Sequence, residues 1–266
     1  MIAGVSSLKV EKVNDMHIQT VVFKDCDDDL IPVKVNFHSQ VDLETDIRNC
    51  IEFMKSNDMQ LYGLYPVINE DLSISKIIKD NQTLQIVFDE INDNKNNILD
   101  ILESVTYVIT NNYDVETVNI VLGNQHHLML TKDLGLNNFI ETSVNLHQTL
   151  PVTVFKQKEV EQFSYYVPTS IRIDENESLW AQVKTILHYV DSKIELIDVS
   201  LQKGLLTVEL GSYILLDNES IDPKLRDLIV LSLTSLKDVD EVKIKINDEE
   251  VEMKKANIQT YNYIKI

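Results

Sequence analysis

Val22-Phe23-Lys24 and Val154-Phe155-Lys156 are one tripeptide met twice, and the register between them extends well past three residues. At the same offset Pro32-Val33-Lys34-Val35 falls on Ser164-Tyr165-Tyr166-Val167, and Asp42 falls on Asp174, without a gap. Repetition on this scale marks a duplicated structural unit, so the fold is read one half at a time. After each aspartate, apolar residues recur at spacings of three and four: Leu43, Ile47, Cys50, Ile51 and Met54, then Leu179, Val183, Ile186, Leu187 and Val190. That is the period of one helix face. Asp42 with Thr45 predicts a helix start. Asp174 with Glu177 predicts another, read as a capping box with Asp in the Ser/Thr place.

Further along, Leu84-Gln85-Ile86-Val87-Phe88 lines up with Leu205-Leu206-Thr207-Val208-Glu209, and Val115 to Ile120 with Val239 to Ile244. The offsets change as loop lengths do. Between each pair lies a second helical pattern, from Ile98 to Asn111 and from Pro223 to Leu236, with Pro223 suited to a first turn. Each half reads strand, strand, helix, strand, strand, helix, strand. It closes at a turn, Gly123-Asn124 or Asn247-Asp248, and the second turn leads into a hairpin partner at Val251-Glu252-Met253. The expected class is α+β, two tandem duplicated modules, each a small mixed sheet covered on one face by two helices. Residues 15–130 and 150–255 are the expected domains. The weakly patterned 131–149, with Gly135, Asn137, Asn138 and Asn145, is the expected linker. In the remaining 256–266, Tyr261 to Ile266 alternate as a tail or edge strand would.

Composition supports a folded chain: 44% of residues are hydrophobic and 25% charged, while only 6 glycines and 5 prolines leave little material for long loops. A formal charge of −19 repels phosphate backbones and anionic headgroups, which argues against nucleic acid as a partner. No stretch approaches the roughly 20 apolar residues that span a bilayer. The opening Met1-Ile2-Ala3-Gly4-Val5-Ser6-Ser7 is similar to the end of a bacterial lipoprotein signal, but Val5 stands where the acylated cysteine would be. A membrane link is therefore expected only through an absent or removed anchor. Whether Cys26 and Cys50 pair stays open, because spacing does not give geometry.

The second half resembles the GerMN domain family of endospore-forming bacteria. The residues that carry the likeness are Lys203-Gly204-Leu205-Leu206-Thr207-Val208-Glu209-Leu210-Gly211-Ser212 and the closing strand Val239 to Ile244; in the first half it is Gly63-Leu64-Tyr65-Pro66-Val67-Ile68. Both halves lack the Leu-Leu-x-Gly-Pro run that usually follows the family's first helix, and Asn81-Gln82 lacks a glycine. The resemblance implies a tandem of ring-building-like modules in an envelope or spore-membrane protein, with no catalytic residues to carry over. Frequent Asn, Ile and Lys fit an AT-rich, low-GC Gram-positive genome.

Few residues suggest chemistry. His126-His127 is an adjacent pair of good ligand types, but neighbours on a strand face opposite ways and could not grip one ion. Asp25-Cys26-Asp27-Asp28-Asp29 and Asp89-Glu90-Ile91-Asn92-Asp93-Asn94 cluster oxygens without the order of a calcium loop, and solvated acidic turns are the favoured reading. No nucleophile elbow or phosphate-binding glycine loop occurs, so no catalytic, metal or cofactor residue is assigned and an enzyme is not expected. Trp180, Tyr165 and Tyr166 are the candidate interaction residues, with completion of the cores as the alternative. The expected function is non-enzymatic assembly or scaffolding outside the cytoplasmic membrane, through protein partners or self-assembly. The alternative is an extracytoplasmic ligand-binding module, for example for a cell-wall fragment.

Overall fold

A computed structural model describes residues 16–38, 42–89, 98–123, 126–131, 135–137, 149–247, 249–255, 258 and 261–265. The lipoprotein-like opening, Asn124, Asn138, Asn145, Asp248, residues 90–94 of the second acidic run and the side chains of His126 and His127 lie outside the described residues.

Each module starts with an antiparallel hairpin. β1 (Met16–Lys24) pairs with β2 (Leu30–His38), and β7 (Thr149–Val160) with β8 (Phe163–Asp174). Helix α1 (Leu43–Phe53) follows the first and α3 (Leu179–Val190) the second. Then come β3 (Ile74–Asp80), β4 (Thr83–Phe88), α2 (Ile98–Asn112), β5 (Thr117–Leu122) and β6 (His126–Thr131). Their counterparts are β9 (Leu196–Gln202), β10 (Leu205–Leu210), α4 (Pro223–Leu233), β11 (Glu241–Ile246) and β12 (Glu249–Lys254). Each four-stranded sheet is mixed: β4 and β5, like β10 and β11, run parallel, and the outer pairings are antiparallel. A parallel pair needs a crossover, and α2 and α4 supply it. The α+β tandem reading thus holds, with the strands of each module divided between a hairpin and a four-stranded sheet.

Three local expectations need correction. Asp42 caps α1, accepting from the Thr45 amide at 2.8 Å, but α3 is capped by Ser178, whose hydroxyl accepts from the Ala181 amide. Asp174 instead ends β8 and folds its carboxylate onto the Asn176 amide, an Asx turn that competes with capping. Helix α4 stops at Leu233 rather than Leu236, its final turn tightened by the Ser235 amide and hydroxyl on the Ser232 carbonyl. Leu84, opposite Val118, corresponds to Leu206, opposite Val242, and not to Leu205. A one-residue slip exchanges the faces of a strand. Leu206, Val208 and Leu210 accordingly point into the core, as Leu84, Ile86 and Phe88 do.

The hairpins carry the join between the modules. On the outer edge of β1, Asn112 of α2 satisfies both backbone groups of Thr20. On the outer edge of β7, Ser232 of α4 and Ser235 just beyond its end accept from the amides of Phe155 and Thr153. The inner edges, β2 and β8, face each other. At one end the side chain of Asn137 accepts from the Leu30 amide and donates to its carbonyl, while the Leu136 carbonyl accepts from the Ser170 amide. At the other end the chain terminus is inserted: the Lys34 amide donates to the Asn262 carbonyl, and the Ile264 amide to the Lys34 carbonyl. The Asn262 side chain accepts from the Tyr166 amide at 2.7 Å and donates to the carbonyls of Tyr166 and Pro32. Leu136 and Ile264 are buried in the core of the first module, together with Val160, Tyr165 and Val167 from the second hairpin.

The corrected register predicts that Leu206→Ala destabilises the chain by about 2–5 kcal/mol, while Leu205→Ala stays near or below about 1 kcal/mol. Urea unfolding of both variants measures the difference; equal losses would return the strand to the register read from sequence.

Candidate functional site

The acidic turn between β1 and β2 is organised from within. Asp25 accepts from the amides of Asp27 and Asp29, which turns its other oxygen toward the second hairpin. Lys158 of β7 enters there: its Nζ stands 2.5 Å from Asp25 Oδ2 and 3.3 Å from Asp27 Oδ2, and it also bonds Asp29. Burial of the ammonium works against its charge, but the hydrogen bonds to Asp25, Asp29 and Asp27 outweigh this and hold its pKa above the ordinary lysine value. A lysine therefore occupies the centre of the carboxylates where a cation would sit, and the turn is a clasp between the modules. Beside it, the tip of the second hairpin packs on the turn at Gln60–Tyr62. A Cβ on Gly63, at φ 71°, would stand 2.6 Å from Val160 Cγ1.

A polar cluster lies under the first hairpin. Gln19 donates to Asp46 at 2.5 Å, the Cys50 thiol donates to Gln19 Oε1 at 2.7 Å, the Tyr113 hydroxyl donates to Asp46, and His17 stands 3.6 Å from the same carboxylate. Cysteine, histidine and aspartate together resemble a nucleophilic set. Burial pushes the Cys50 thiol up to about 12, with the Asp46 charge adding to the rise, so at neutral pH the group is a thiol and a hydrogen-bond donor inside the core. Cys26 is exposed, and both cysteines are free.

The three candidate interaction residues are not brought together. Tyr165 is 3% exposed and belongs to the seam, its hydroxyl donating to the Tyr62 carbonyl at 2.9 Å. Tyr166 is half-buried, stacked on Tyr261 with ring centres 6.0 Å apart. Burial, then the charges of Asp227 and Asp222, push its hydroxyl up to about 12. Trp180 is 41% exposed at the start of α3, with Lys184 Nζ 4.7 Å from its ring centre; Tyr189, at the far end of the helix, is exposed as well.

Between β8, the start of α4, β12 and the chain terminus lies a pocket of about 470 Å³, lined in part by Tyr166, Lys224, Arg226, Asp227 and Tyr261. No sequence pattern points to it, because its walls come from four separated segments. The repeat does hold one clue: Lys34 and Tyr166 are equivalent positions, and both are held by Asn262. Lys34 Nζ lies 3.9 Å from the centre of the Tyr261 ring.

The tandem GerMN domains of the sporulation protein GerM from Bacillus subtilis superpose on this structure with a TM-score of 0.69 at 20% sequence identity, over 88% of this chain and 92% of that one. The first GerMN domain of that protein, taken alone, matches with a TM-score of 0.34 at 17% identity, over 42% of this chain and 86% of that one. No protein-family profile and no curated protein sequence matches the chain. The fold is that of tandem GerMN modules.

Replacing Lys158 with Met leaves the carboxylate of Asp25 buried and three like charges facing one another. The expected cost at pH 7 is about 2 kcal/mol, below the 3–5 of a fully buried pair because Asp27 and Asp29 reach solvent. A raised lysine pKa gives stability that is complete below the unfolded value near 10.4 and fades only as pH climbs through the higher folded value. Denaturant titrations of both chains should therefore differ most at neutral pH and converge in strong alkali.

Proposed function

We propose that this chain is a non-enzymatic assembly or scaffold protein of a bacterial cell envelope, of the sporulation type and acting outside the cytoplasmic membrane. The observation that carries the reading is the position of the aromatic residues. Trp180 and Tyr189 are exposed near the two ends of α3, on opposite flanks of its buried stripe, on a body whose two modules are joined by hydrogen bonds at both ends of the seam. The likeness to tandem domains of a named sporulation protein supports it. So does the chemistry of the polar clusters, in which Cys50 is a buried thiol and the Asp25 turn is filled by Lys158. Among the described residues no helix is long and apolar enough to cross a membrane.

In this reading a helix face of one copy meets a sheet of the next. The sheet of the second module carries ion pairs on its open face, Lys243 with Glu250 and Lys254 with Glu241. In the first module Thr117, Asn119 and Val121 stand where the second has Glu241, Lys243 and Lys245, and the same face continues through Gln85, Val87 and Ile78 with Lys76 and Asp80, the less charged of the two surfaces. Trp180 of one copy docks there, since a tryptophan anchor contributes most where its neighbours shed water easily.

Light scattering across a wide range of concentration tests this. At physiological salt the mass should rise with concentration. At low salt the repulsion between copies of charge −19 should hold the chain monomeric. Trp180→Ala should weaken association by about 2 kcal/mol, roughly thirtyfold. A monomer at every concentration and salt would overturn self-assembly.

A further inference from the structure

The two most exposed large apolar side chains among the described residues are Leu61, at 83%, and Leu99, at 66%, and both belong to one end of the first module. Lys24, at the end of β1, connects them. Its backbone pairs with that of Tyr65, which follows the turn carrying Leu61 and is itself exposed. Its ammonium stands 2.5 Å from Asp100 on the first turn of α2, the residue next to Leu99. Single exposed leucines are ordinary, but a group gathered about one lysine is apolar area that a partner can remove from water.

The same end is acidic. Asp28 stands 3.6 Å from Lys24 Nζ, which ties the turn at 25–29 to this group, and Glu161 of the second hairpin lies beside Gly63, where an added Cβ would be 3.3 Å from its Cγ. Among the described residues the carboxylates of Asp25, Asp27, Asp28, Asp29, Asp100 and Glu161 face two cations, Lys24 and Lys158, and both are already committed within this set. Other lysines close in the chain are engaged elsewhere. Lys55, before the Leu61 turn, bonds Glu52, and Lys156, two residues before Lys158, has its Nζ 5.5 Å from the Tyr189 ring centre. Asp27, Asp28 and Glu161 are exposed.

We propose that this end of the first module docks a basic segment of a partner protein, one that alternates lysine or arginine with large apolar residues. Its apolar side chains cover Leu61, Tyr65 and Leu99, and its cations meet Asp27, Asp28 and Glu161. Charge selects this occupant over the others. A second copy of the chain would bring a charge of −19 toward an end already short of cations, and an anionic lipid surface or nucleic acid would be repelled in the same way. A divalent cation would find the centre of the acidic turn taken by Lys158. A neutral apolar segment would cover the leucines but strip water from the carboxylates beside them without supplying a counter-charge.

The test is isothermal titration of the full chain with a heptapeptide of alternating lysine and leucine, at physiological salt, where attraction to the chain's overall charge is screened beyond about 8 Å. Binding should be saturable and one-to-one, and about tenfold tighter than that of a peptide alternating lysine and serine. Leu61→Ser combined with Leu99→Ser should weaken it about tenfold, the loss of roughly 60 Å² of apolar contact. Asp28→Asn, a residue type suited to the φ of 65° there, should weaken it about threefold. Leu216→Ser, at an exposed leucine beside Asp217 and Glu219 in the second module, should leave it unchanged, and so should Trp180→Ala. No saturable binding, more than one equivalent bound, equal affinity for the two peptides, or an equal loss in either control variant would overturn the proposal. It stands apart from self-assembly, since a strictly monomeric chain would bind the peptide equally well.

Discussion

Two strand edges face each other in this molecule and cannot close. The inward groups of β2 come from Leu30, Pro32 and Lys34, and those of β8 from Tyr166, Pro168 and Ser170. Proline has no N–H, so neither strand can offer an unbroken ladder to the other. A buried, unpaired peptide group costs about 1–3 kcal/mol, and an edge left open invites another chain to pair with it. The molecule meets both constraints by inserting other groups at the two ends of the gap: the Asn137 amide with the Leu136 carbonyl at one, and Asn262 with Ile264 at the other. Side-chain amides and hydroxyls, together with backbone groups of Tyr65, Leu136, Asn262 and Ile264, then take the place of missing strands on the hairpin edges.

This arrangement converts a gene-scale duplication into one body. Lys34 and Tyr166, equivalent in the two copies, meet at the same tail, but a single segment cannot present the same face to both. It gives its backbone to Lys34 and the side chain of Asn262 to Tyr166. That asymmetry brings Tyr261 against Tyr166 and sets one wall of the pocket between β8, α4 and β12. The clasp of Lys158 on the Asp25 turn fixes the far end of the second hairpin. With the modules joined by these contacts, α3 and the sheet of the first module are separate surfaces of one joined body.

Much of the fold could be read from periodicity. The repeat, the bodies of all four helices and the Asp42 cap come from local patterns that tertiary packing does not override. The errors fell where two local explanations compete. Asp174 suits both a helix cap and an Asx turn, and the length of β8 decides between them. Leu205 and Leu206 are identical in type, so only the pairing of Leu206 with Val242 shows which one is inside. In Tyr165-Tyr166 alternation says that one ring turns inward, but not that the inward one enters the core of the other module. The seam was the least legible part. Residues 135–137 carry no periodic signal and 261–264 only a short alternation, and neither pattern reveals that these residues satisfy backbone groups distant in the chain.

The central claim is that the inserted tail closes the gap between the two hairpins, and amide hydrogen exchange tests it directly. The amides of Lys34 and Tyr166 should be protected in the intact chain, and both should lose protection together in Asn262→Ala, while the Phe155 amide, bonded to Ser232 on the opposite edge, keeps its own. Exchange of the Lys34 and Tyr166 amides at the rate of open loops in the intact chain, or protection indifferent to the loss of Asn262, would contradict the account.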